Sequence, residues 1–269
     1  MPELAEVEFY RRVWAVGLGD VVTSIDLHPQ ARVFRGTEPD SLRPLAGSTF
    51  SSALAHGKQL LFGFQGAGWL GVHLGMSGAL SIAPPEHLAD RHDHLVLRTG
   101  TQSLVFRDPR MFGRVRFDLG SEPPEWWTSQ PAQVLSQAFN RKRFAQFLER
   151  RQGTPLKALL LDQSLFPGIG NWMADEILWR ARLHPAKLPN QLSKCETSRL
   201  WRITREVARD ALRVIAPDWG EAPDDWLFNH RWKAGGICPR PHCRCPLARA
   251  ELRGRTSCWC PQCQDLASS

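Results

Sequence analysis

The sequence predicts an α+β protein in which an N-terminal helix precedes an antiparallel β region, and a helical region precedes a cysteine-rich hairpin. Three observations support this class. Apolar residues recur at helical spacing in the first 16 residues, and residues 21–117 carry short apolar or alternating runs bounded by Gly, Pro, His and Asp. Helical periodicity returns after a proline-rich break at residues 121–132. Short strands in regular succession are typical of a sandwich or a barrel.

The composition is that of a globular protein, with 42% hydrophobic and 23% charged residues in a chain of 269. Such a length suits one large or two ordinary domains. The sequence lacks both an apolar run of roughly 18 residues, which a transmembrane helix needs, and a signal-peptide pattern. We therefore expect a cytoplasmic protein, nucleoid-associated if it is bacterial, without membrane association. The net charge of +7 suits a polyanionic partner.

The first predicted element is a helix that runs to about Val16. Pro2 and Glu3 stand at its start and allow two interpretations. Proline followed by an acid is a favoured helix start. Alternatively, removal of Met1 would leave Pro2 with a secondary amine, and α-amino groups titrate at about 7.7–8.0. Such an amine can attack a masked aldehyde and form an iminium, as Schiff-base lysines do. The apolar stripe of the helix comprises Leu4, Val7, Tyr10 and Trp14.

Residues 21–117 are predicted to form short strands separated by turns. The predicted strands include residues 21–27, 49–53, 60–64, 70–74, 95–98, 103–106 and 114–117. The segment 121–132 breaks every period and carries three prolines. We therefore place a domain boundary there.

Capping residues mark the helix starts after this boundary. Asn140 is a suitable N-cap, and Thr154 followed by Pro155 predicts a helix over residues 156–162. Ser193 and Glu196 have the spacing of a capping box that opens a long helix.

A glycine turn lies between these helices, where Gly168 and Gly170 precede Asn171. Small residues at a helix start let backbone N–H groups point outward, so such a turn can hold a phosphate. The alternative is a tight helix–helix turn that simply needs small residues.

Six of the seven cysteines lie between Cys238 and Cys263. In a reducing compartment this clustering indicates a metal site rather than disulfides. Cys260 and Cys263 have the spacing of half of a four-cysteine structural zinc site, in which no coordination position stays open for catalysis. The partner pair comes from Cys238, Cys243 and Cys245, with His242 as a further candidate, and spacing alone does not choose among them. Cys258 with Cys260 is an alternative to the pair of Cys260 and Cys263.

The residues between the cysteine pairs alternate like a hairpin that turns near Gly254. From residue 231 to residue 263 there are seven basic residues against one acid, Glu251. A basic run on a zinc-bound hairpin indicates contacts with phosphates. The basic residues are Arg231, Lys233, Arg240, Arg244, Arg249, Arg253 and Arg255.

Taken together, these features resemble the formamidopyrimidine-DNA glycosylase and endonuclease VIII family of base-excision repair enzymes, and the resemblance covers almost the whole chain. Its motifs occur here in the family's order. They are MPELAEVE at the start, HGK at 56–58, LGMSG at 74–78, DPRMFG at 108–113, GIGNWMADE at 168–176 and GRT at 254–256.

The resemblance implies a fold with three domains. An N-terminal helix and β-sandwich would occupy residues 1–124, a helix–two-turn–helix domain residues 125–229, and a zinc finger residues 230–269. Sixteen residues separate Cys243 from Cys260, which fits the family spacing. The implied ligands of one structural Zn²⁺ are Cys238, Cys243, Cys260 and Cys263.

The resemblance also implies residue roles. Pro2 would attack C1′ of the damaged nucleotide, Glu3 would protonate the opening sugar ring, and Lys58 would contact phosphate and support catalysis. Asn171 and Arg255 would hold the phosphates that flank the lesion. The residues that would fill the gap left by the extruded base are Met76, Arg110 and Phe112.

The expected function is that of a DNA glycosylase and AP lyase that acts as a monomer on damaged double-stranded DNA. Formamidopyrimidine and 8-oxoguanine are the expected bases, released through a Schiff base at Pro2 with β,δ-elimination. The short, Trp-rich segment 218–236 favours an alternative, an endonuclease VIII-like enzyme for oxidised pyrimidines. A second alternative, from another class, is a zinc-ribbon protein that binds DNA without catalysis.

Overall fold

The computed structural model describes residues 1–28 and 31–266. The chain folds into two compact units. The first comprises Met1–Gln130 with Ala216–Asp218, and the second comprises Pro131–Ile215 and the residues from Trp219 onward. No helix in the described ranges combines the length and apolar character that crossing a membrane requires.

Helix α1 spans Leu4–Ala15, as the apolar stripe predicts. Glu3 is its N-cap, and the carboxylate of Glu6 accepts the Glu3 N–H at 3.2 Å in a capping box. Leu4, Val7 and Trp14 are buried, so one face of the helix belongs to the core of the first unit.

Eight strands follow in the first unit, and all of their pairings are antiparallel. They form two four-stranded sheets, ordered β1-β6-β7-β5 and β2-β3-β4-β8. One apolar core takes side chains from α1 and both sheets, including Trp14, Phe62 and Phe106. The strands are β1 Val22–Leu27, β2 Thr49–His56, β3 Gln59–Gln65, β4 Gly68–His73, β5 Ala79–Ala83, β6 Asp93–Thr99, β7 Ser103–Arg107 and β8 Arg114–Leu119.

A short helix, α2 (Glu125–Thr128), belongs to the first unit, and the described part of the second unit contains four α-helices before the C-terminal hairpin. Asn140 caps α3 by accepting the Arg143 N–H, and Ser193 with Glu196 forms the predicted capping box of α6. Helix α4 is present but shorter than predicted: Pro155 is its N-cap rather than its first helical residue, and it ends at Leu160 rather than at residue 162. The four helices are α3 Arg141–Glu149, α4 Leu156–Leu160, α5 Asn171–Ala181 and α6 Lys194–Val214.

The C-terminal hairpin consists of β9 (Ala248–Leu252) and β10 (Arg255–Trp259), joined by a turn at Arg253 and Gly254. Both turn residues have positive φ, 47° and 75°. The predicted α+β class is confirmed, with an N-terminal helix, antiparallel sheets, a helical region and this hairpin. The predicted limits at residues 124 and 229 stay predictions.

Candidate nucleic-acid interface and metal centre

Pro2 and Glu3 lie immediately before α1. Pro2 is partly exposed, whereas Glu3 is only 3% exposed despite its charge. Because the N-terminal end of a helix carries positive partial charge, it favours a carboxylate there. The structure therefore buries an acid next to Pro2, the residue that the sequence predicts as a nucleophile.

Lys58 lies in the two-residue turn between β2 and β3. Gly57 takes the first turn position with a φ of 58°, a conformation that glycine adopts without steric cost. Lys58 is 8% exposed and therefore differs from an ordinary solvated lysine at a strand end.

His73 is a site residue that the sequence reasoning missed. It ends β4, where it pairs with Gln59 next to Lys58. Burial and the positive charges of Lys58, Arg35 and Arg116 lower the pKa of His73 from 6.5 to about 4. Its Nδ1 accepts the Gly75 N–H at 3.1 Å, so the neutral ring carries its proton on Nε2. The group is thus a basic cluster with one neutral imidazole donor.

The loops that carry Met76 and Phe112 are joined through Asp108, which is fully buried. One oxygen of this carboxylate accepts the Ser77 hydroxyl at 2.6 Å, and the other accepts the Gly113 N–H at 2.6 Å. Each loop therefore donates a hydrogen bond to the same buried anion. Such charge-assisted bonds are stronger than neutral ones.

The same loops also meet through their backbones. A Cβ atom on Gly75 would lie 2.4 Å from the nitrogen of Gly113, and Gly75 has a φ of 63°. Arg35 donates to the carbonyl oxygens of Phe112 and Gly113 at 3.1 and 2.8 Å. The conformation of the loop that carries Phe112 is thus fixed both by the close backbone contact with Gly75 and by the hydrogen bonds from Arg35.

These loops present apolar side chains outward. Met76 and Phe112 are each 44% exposed, although their residue types favour a core position. The Arg110 guanidinium lies 4.9 Å from the centroid of the Phe112 ring, at cation–π distance. The geometry leaves these three side chains available to a partner of the first unit.

The glycine turn of the second unit leads into α5. Gly168 has a φ of 91°, and its N–H donates to the side chain of Gln163 at 3.2 Å, so this donor is already used within the turn. Gly170 is the N-cap and Asn171 is the first residue of the helix. The Asn171 Nδ2 donates to the carbonyl oxygen of Thr256 at 3.0 Å, which links the glycine turn to β10.

Arg255 is exposed at the start of β10, next to Thr256. The bond between Asn171 and Thr256 therefore brings the two predicted phosphate-binding residues of the second unit into one neighbourhood. An asparagine amide has two donors, so a single bond to Thr256 leaves a second N–H for another acceptor.

Four cysteine sulfurs form a metal-binding group at the base of the hairpin. The Sγ atoms of Cys238, Cys243, Cys260 and Cys263 all lie within 4.8 Å of one another. Sulfurs that surround a tetrahedral zinc at about 2.3 Å lie roughly 3.8 Å apart, so the group fits such an ion. Burial raises the pKa of Cys260 and of Cys263. A cation is what would hold these thiols as thiolates.

The indole N–H of Trp179 donates to the Cys238 sulfur at 3.3 Å, and the Cys263 N–H donates to the Cys260 sulfur at 3.4 Å. Hydrogen bonds of this kind orient metal ligands. In the part of the chain that the structure describes, Cys245 and Cys258 lie outside the four-sulfur group.

The segment after α6 packs its aromatic residues together. Trp226 stacks on Trp172 of α5 with centroids 6.5 Å apart, and Phe228 meets Trp172 edge-on at 4.9 Å. Trp232 meets Phe228 at 5.3 Å and is 53% exposed. The segment thus forms an aromatic ladder against α5.

Comparison with known proteins identifies the family. Residues 1–115 match the profile of the formamidopyrimidine-DNA glycosylase N-terminal domain, and residues 131–217 match that of the formamidopyrimidine-DNA glycosylase H2TH domain. Formamidopyrimidine-DNA glycosylase of Roseiflexus sp. is 33% identical, covering 98% of this chain and 100% of the relative. That of Thermus thermophilus is 35% identical, covering 98% of each.

Solved structures of Lactococcus lactis Fpg are also similar. A complex with DNA containing an abasic site has a TM-score of 0.86 at 27% identity, covering 98% of this chain and 99% of that one. A complex with DNA containing an oxidised pyrimidine has a TM-score of 0.87 at 27% identity, covering 98% and 100%. With both profiles and full-length relatives in agreement, this chain belongs to the formamidopyrimidine-DNA glycosylase family.

Proposed function

We propose that this chain is a bifunctional DNA glycosylase and AP lyase of base-excision repair whose nucleophile is the amine of Pro2. One observation carries the proposal. In a member of this family, the buried carboxyl group of Glu3 directly follows Pro2 at the start of a helix. An acid and an amine with these positions suit a reaction in which one group attacks carbon and the other moves protons.

Removal of Met1 exposes the secondary amine of Pro2. Its lone pair attacks C1′ of the damaged nucleotide, and the bond from C1′ to the base breaks with its electron pair leaving on the base, which takes up the proton that the amine loses. Glu3 gives a proton to O4′ as the sugar ring opens. The product is an iminium that joins the Pro2 nitrogen to C1′.

The iminium acidifies the protons on C2′. Loss of one proton expels the 3′ phosphate by β-elimination, and loss of a further proton expels the 5′ phosphate by δ-elimination. Water then hydrolyses the imine, which releases the sugar fragment and restores the amine. Each step exchanges a proton and a leaving group within the enzyme, the DNA and water.

The partner is damaged double-stranded DNA. Lys58, His73, Asn171 and Arg255 supply donors for phosphates, since duplex binding depends chiefly on such contacts. Extruding a base costs a few kcal/mol. The exposed side chains of Met76, Arg110 and Phe112 offset that cost by filling the gap in the stack.

Formamidopyrimidine and 8-oxoguanine are the proposed target bases. The aromatic ladder favours oxidised pyrimidines as a second class, because Trp226 and Phe228 of segment 218–236 pack against α5 and do not cover a large purine. DNA containing an oxidised pyrimidine also lies in one of the similar Lactococcus lactis complexes. Cleavage of matched duplexes that carry 8-oxoguanine, formamidopyrimidine or dihydrouracil would rank these substrates.

The metal at the four-cysteine group is proposed to be zinc, with a structural role. Four thiolates complete a tetrahedral shell, so the ion would hold the hairpin that carries Arg255. Metal analysis should give one zinc ion per chain.

The decisive test is trapping with borohydride, which reduces an iminium to a stable amine. Mature protein mixed with abasic-site duplex should form a covalent adduct, and Pro2→Gly or Glu3→Gln should weaken adduct formation at least about tenfold, which is about 1.4 kcal/mol of barrier. DNA binding without any adduct would instead support the non-catalytic DNA-binding protein.

A second test uses the position of the amine. An N-terminal tag or a retained Met1 should abolish lyase activity and leave DNA binding intact, because Pro2 would then sit in an amide. The same tag at the C-terminus is the control and should leave both properties unchanged. Full lyase activity with a blocked Pro2 would place the nucleophile elsewhere.

A further inference from the structure

A buried ionic network in the second unit has no part in the proposed chemistry. Asp175 of α5 and Lys157 of α4 are 1% and 0% exposed, and Arg231 is 4% exposed. The Lys157 Nζ lies 2.5 Å from Asp175 Oδ1, and Arg231 donates twice to Oδ2, at 3.0 and 2.5 Å. Burying three charges is costly, and good geometry is what compensates the cost.

This network reaches two further backbone groups. The Lys157 Nζ donates to the carbonyl oxygen of Asn171 at 2.7 Å, at the first residue of α5. Oδ2 of Asp175 accepts the N–H of Cys258 at 3.2 Å, on the strand that begins with Arg255. One carboxylate is thus connected to the glycine turn through Lys157 and to the hairpin directly.

The connection closes into a ring, because the Asn171 side chain donates to Thr256 on the same strand. The relative position of Asn171 and Arg255 therefore depends on α5, β10 and the bonds that cross between them. Any shift of the hairpin relative to the helix would break a bond to a buried charge.

We propose that Asp175 is a positioning residue that fixes the separation of the two phosphate-binding residues, Asn171 and Arg255. This inference rests on the proposed function, since it assigns Asp175 a role in DNA binding rather than in the reaction. Groups that hold a ligand cooperatively need a rigid supporting shell, and a buried carboxylate with several partners provides one.

The test is a set of double-mutant cycles that measure DNA affinity. They are built on Asp175→Asn, which keeps the size of the side chain and removes its charge. The probe is a duplex that contains a tetrahydrofuran abasic site, and the readout is affinity by fluorescence anisotropy at several salt concentrations. Asp175→Asn should weaken binding at least about tenfold and reduce the salt slope by about 1 to 2, as expected when one or two phosphate contacts are lost. The rate of borohydride trapping on a duplex with a natural abasic site, at saturating DNA, should stay within about threefold of wild type.

Coupling distinguishes positioning from a general loss of stability. Adding Asn171→Ala or Arg255→Ala to Asp175→Asn should weaken binding by no more than about twofold beyond Asp175→Asn alone. Glu176→Gln is the matched control, because Glu176 is a buried carboxylate of the same helix that accepts hydrogen bonds from Arg180 and the Phe228 N–H. It should lower the melting temperature and leave affinity and salt slope unchanged.

Folded Asp175→Asn with bound metal and wild-type affinity would overturn the inference, as would full additivity with both alanine variants. If the wild-type protein fails to bind the abasic duplex, the proposed function falls instead. If Asp175→Asn does not fold, Lys157→Met tests the branch to Asn171. It should couple with Asn171→Ala and add fully to Arg255→Ala, and additivity with both would again overturn the inference.

Discussion

At the scale of single residues, His73 shows how the fold sets the state of a side chain. Three cations surround it, and its Nδ1 is already used by the Gly75 N–H. A proton added at Nδ1 would break that bond and introduce a fourth positive charge. The ring therefore stays neutral at physiological pH, and it can offer a phosphate its Nε2–H but no charge.

The lowered pKa of His73 predicts a loss of stability in acid. Between pH 6.5 and about 4 the unfolded chain holds a proton on this residue and the folded chain does not. The free energy of unfolding therefore falls as the pH drops through this window, by up to about 3 kcal/mol. Urea denaturation of wild type and His73→Gln at several pH values measures it. The stability difference between the two should change across this window and level off below it, whereas parallel curves would contradict the prediction.

At the scale of elements, local patterns predict most helices and strands. The caps at Asn140 and Ser193 and the turn at Gly254 depend on neighbouring residues, so the sequence contains their whole signal. Strand β5 is not among the predicted strands because its alternation is weak, with Leu80 its only buried residue.

The couplings within the candidate site could not be predicted in the same way. The bonds from Ser77 to Asp108 and from Arg231 to Asp175 span 31 and 56 positions. No local period contains such pairs, and His73 carries no sequence signal beyond its place before the LGMSG motif. Cysteine spacing alone leaves the ligand set open, and the structure places Cys245 and Cys258 outside the sulfur group.

The contact between the two loops of the first unit predicts a specific sensitivity at Gly75. Gly75→Ala would place a left-handed backbone on alanine, at about 1 kcal/mol, and would overlap the Phe112–Gly113 backbone, at about 1–3 kcal/mol more. The displaced loop should also reduce excision of a lesion base more than binding to an abasic duplex.

Gly47→Ala is the control for this prediction. Gly47 has a φ of 86°, and no atom lies within 4 Å of the position that its Cβ would take, so this variant isolates the backbone cost. Chemical denaturation should show the larger loss for Gly75→Ala. Equal losses at the two positions would mean that the overlap relaxes freely and that the loops do not hold each other.

At the scale of the whole molecule, each compact unit carries its own cationic groups. Lys58, Arg35 and Arg116 surround His73 in the first unit, and the basic hairpin with Arg255 belongs to the second. A chain with a net charge of +7 thus carries cationic groups in both units, and these are the proposed donors to DNA phosphates. Affinity for DNA should fall steeply with salt, and removing either set should reduce the slope.

Metal removal tests whether the two sets can be lost independently. Structural zinc sites contribute about 10–16 kcal/mol of binding free energy, comparable to the whole stability of a domain. Chelation should therefore unfold the hairpin, break the link from β10 to Asp175 and weaken binding to an abasic duplex. The first unit holds none of the four ligands, so its thermal transition should persist.

Calorimetry with and without 1,10-phenanthroline, together with metal analysis, measures these effects. Cys260→Ser should reproduce the chelated state. Cys195→Ser should not, because Cys195 is exposed on α6 and lies outside the sulfur group. Wild-type affinity in metal-free protein would show that the hairpin holds its shape through its bonds to Asp175 and Asn171 without the metal. Loss of both thermal transitions would show instead that the first unit depends on the metal-bound one for its stability.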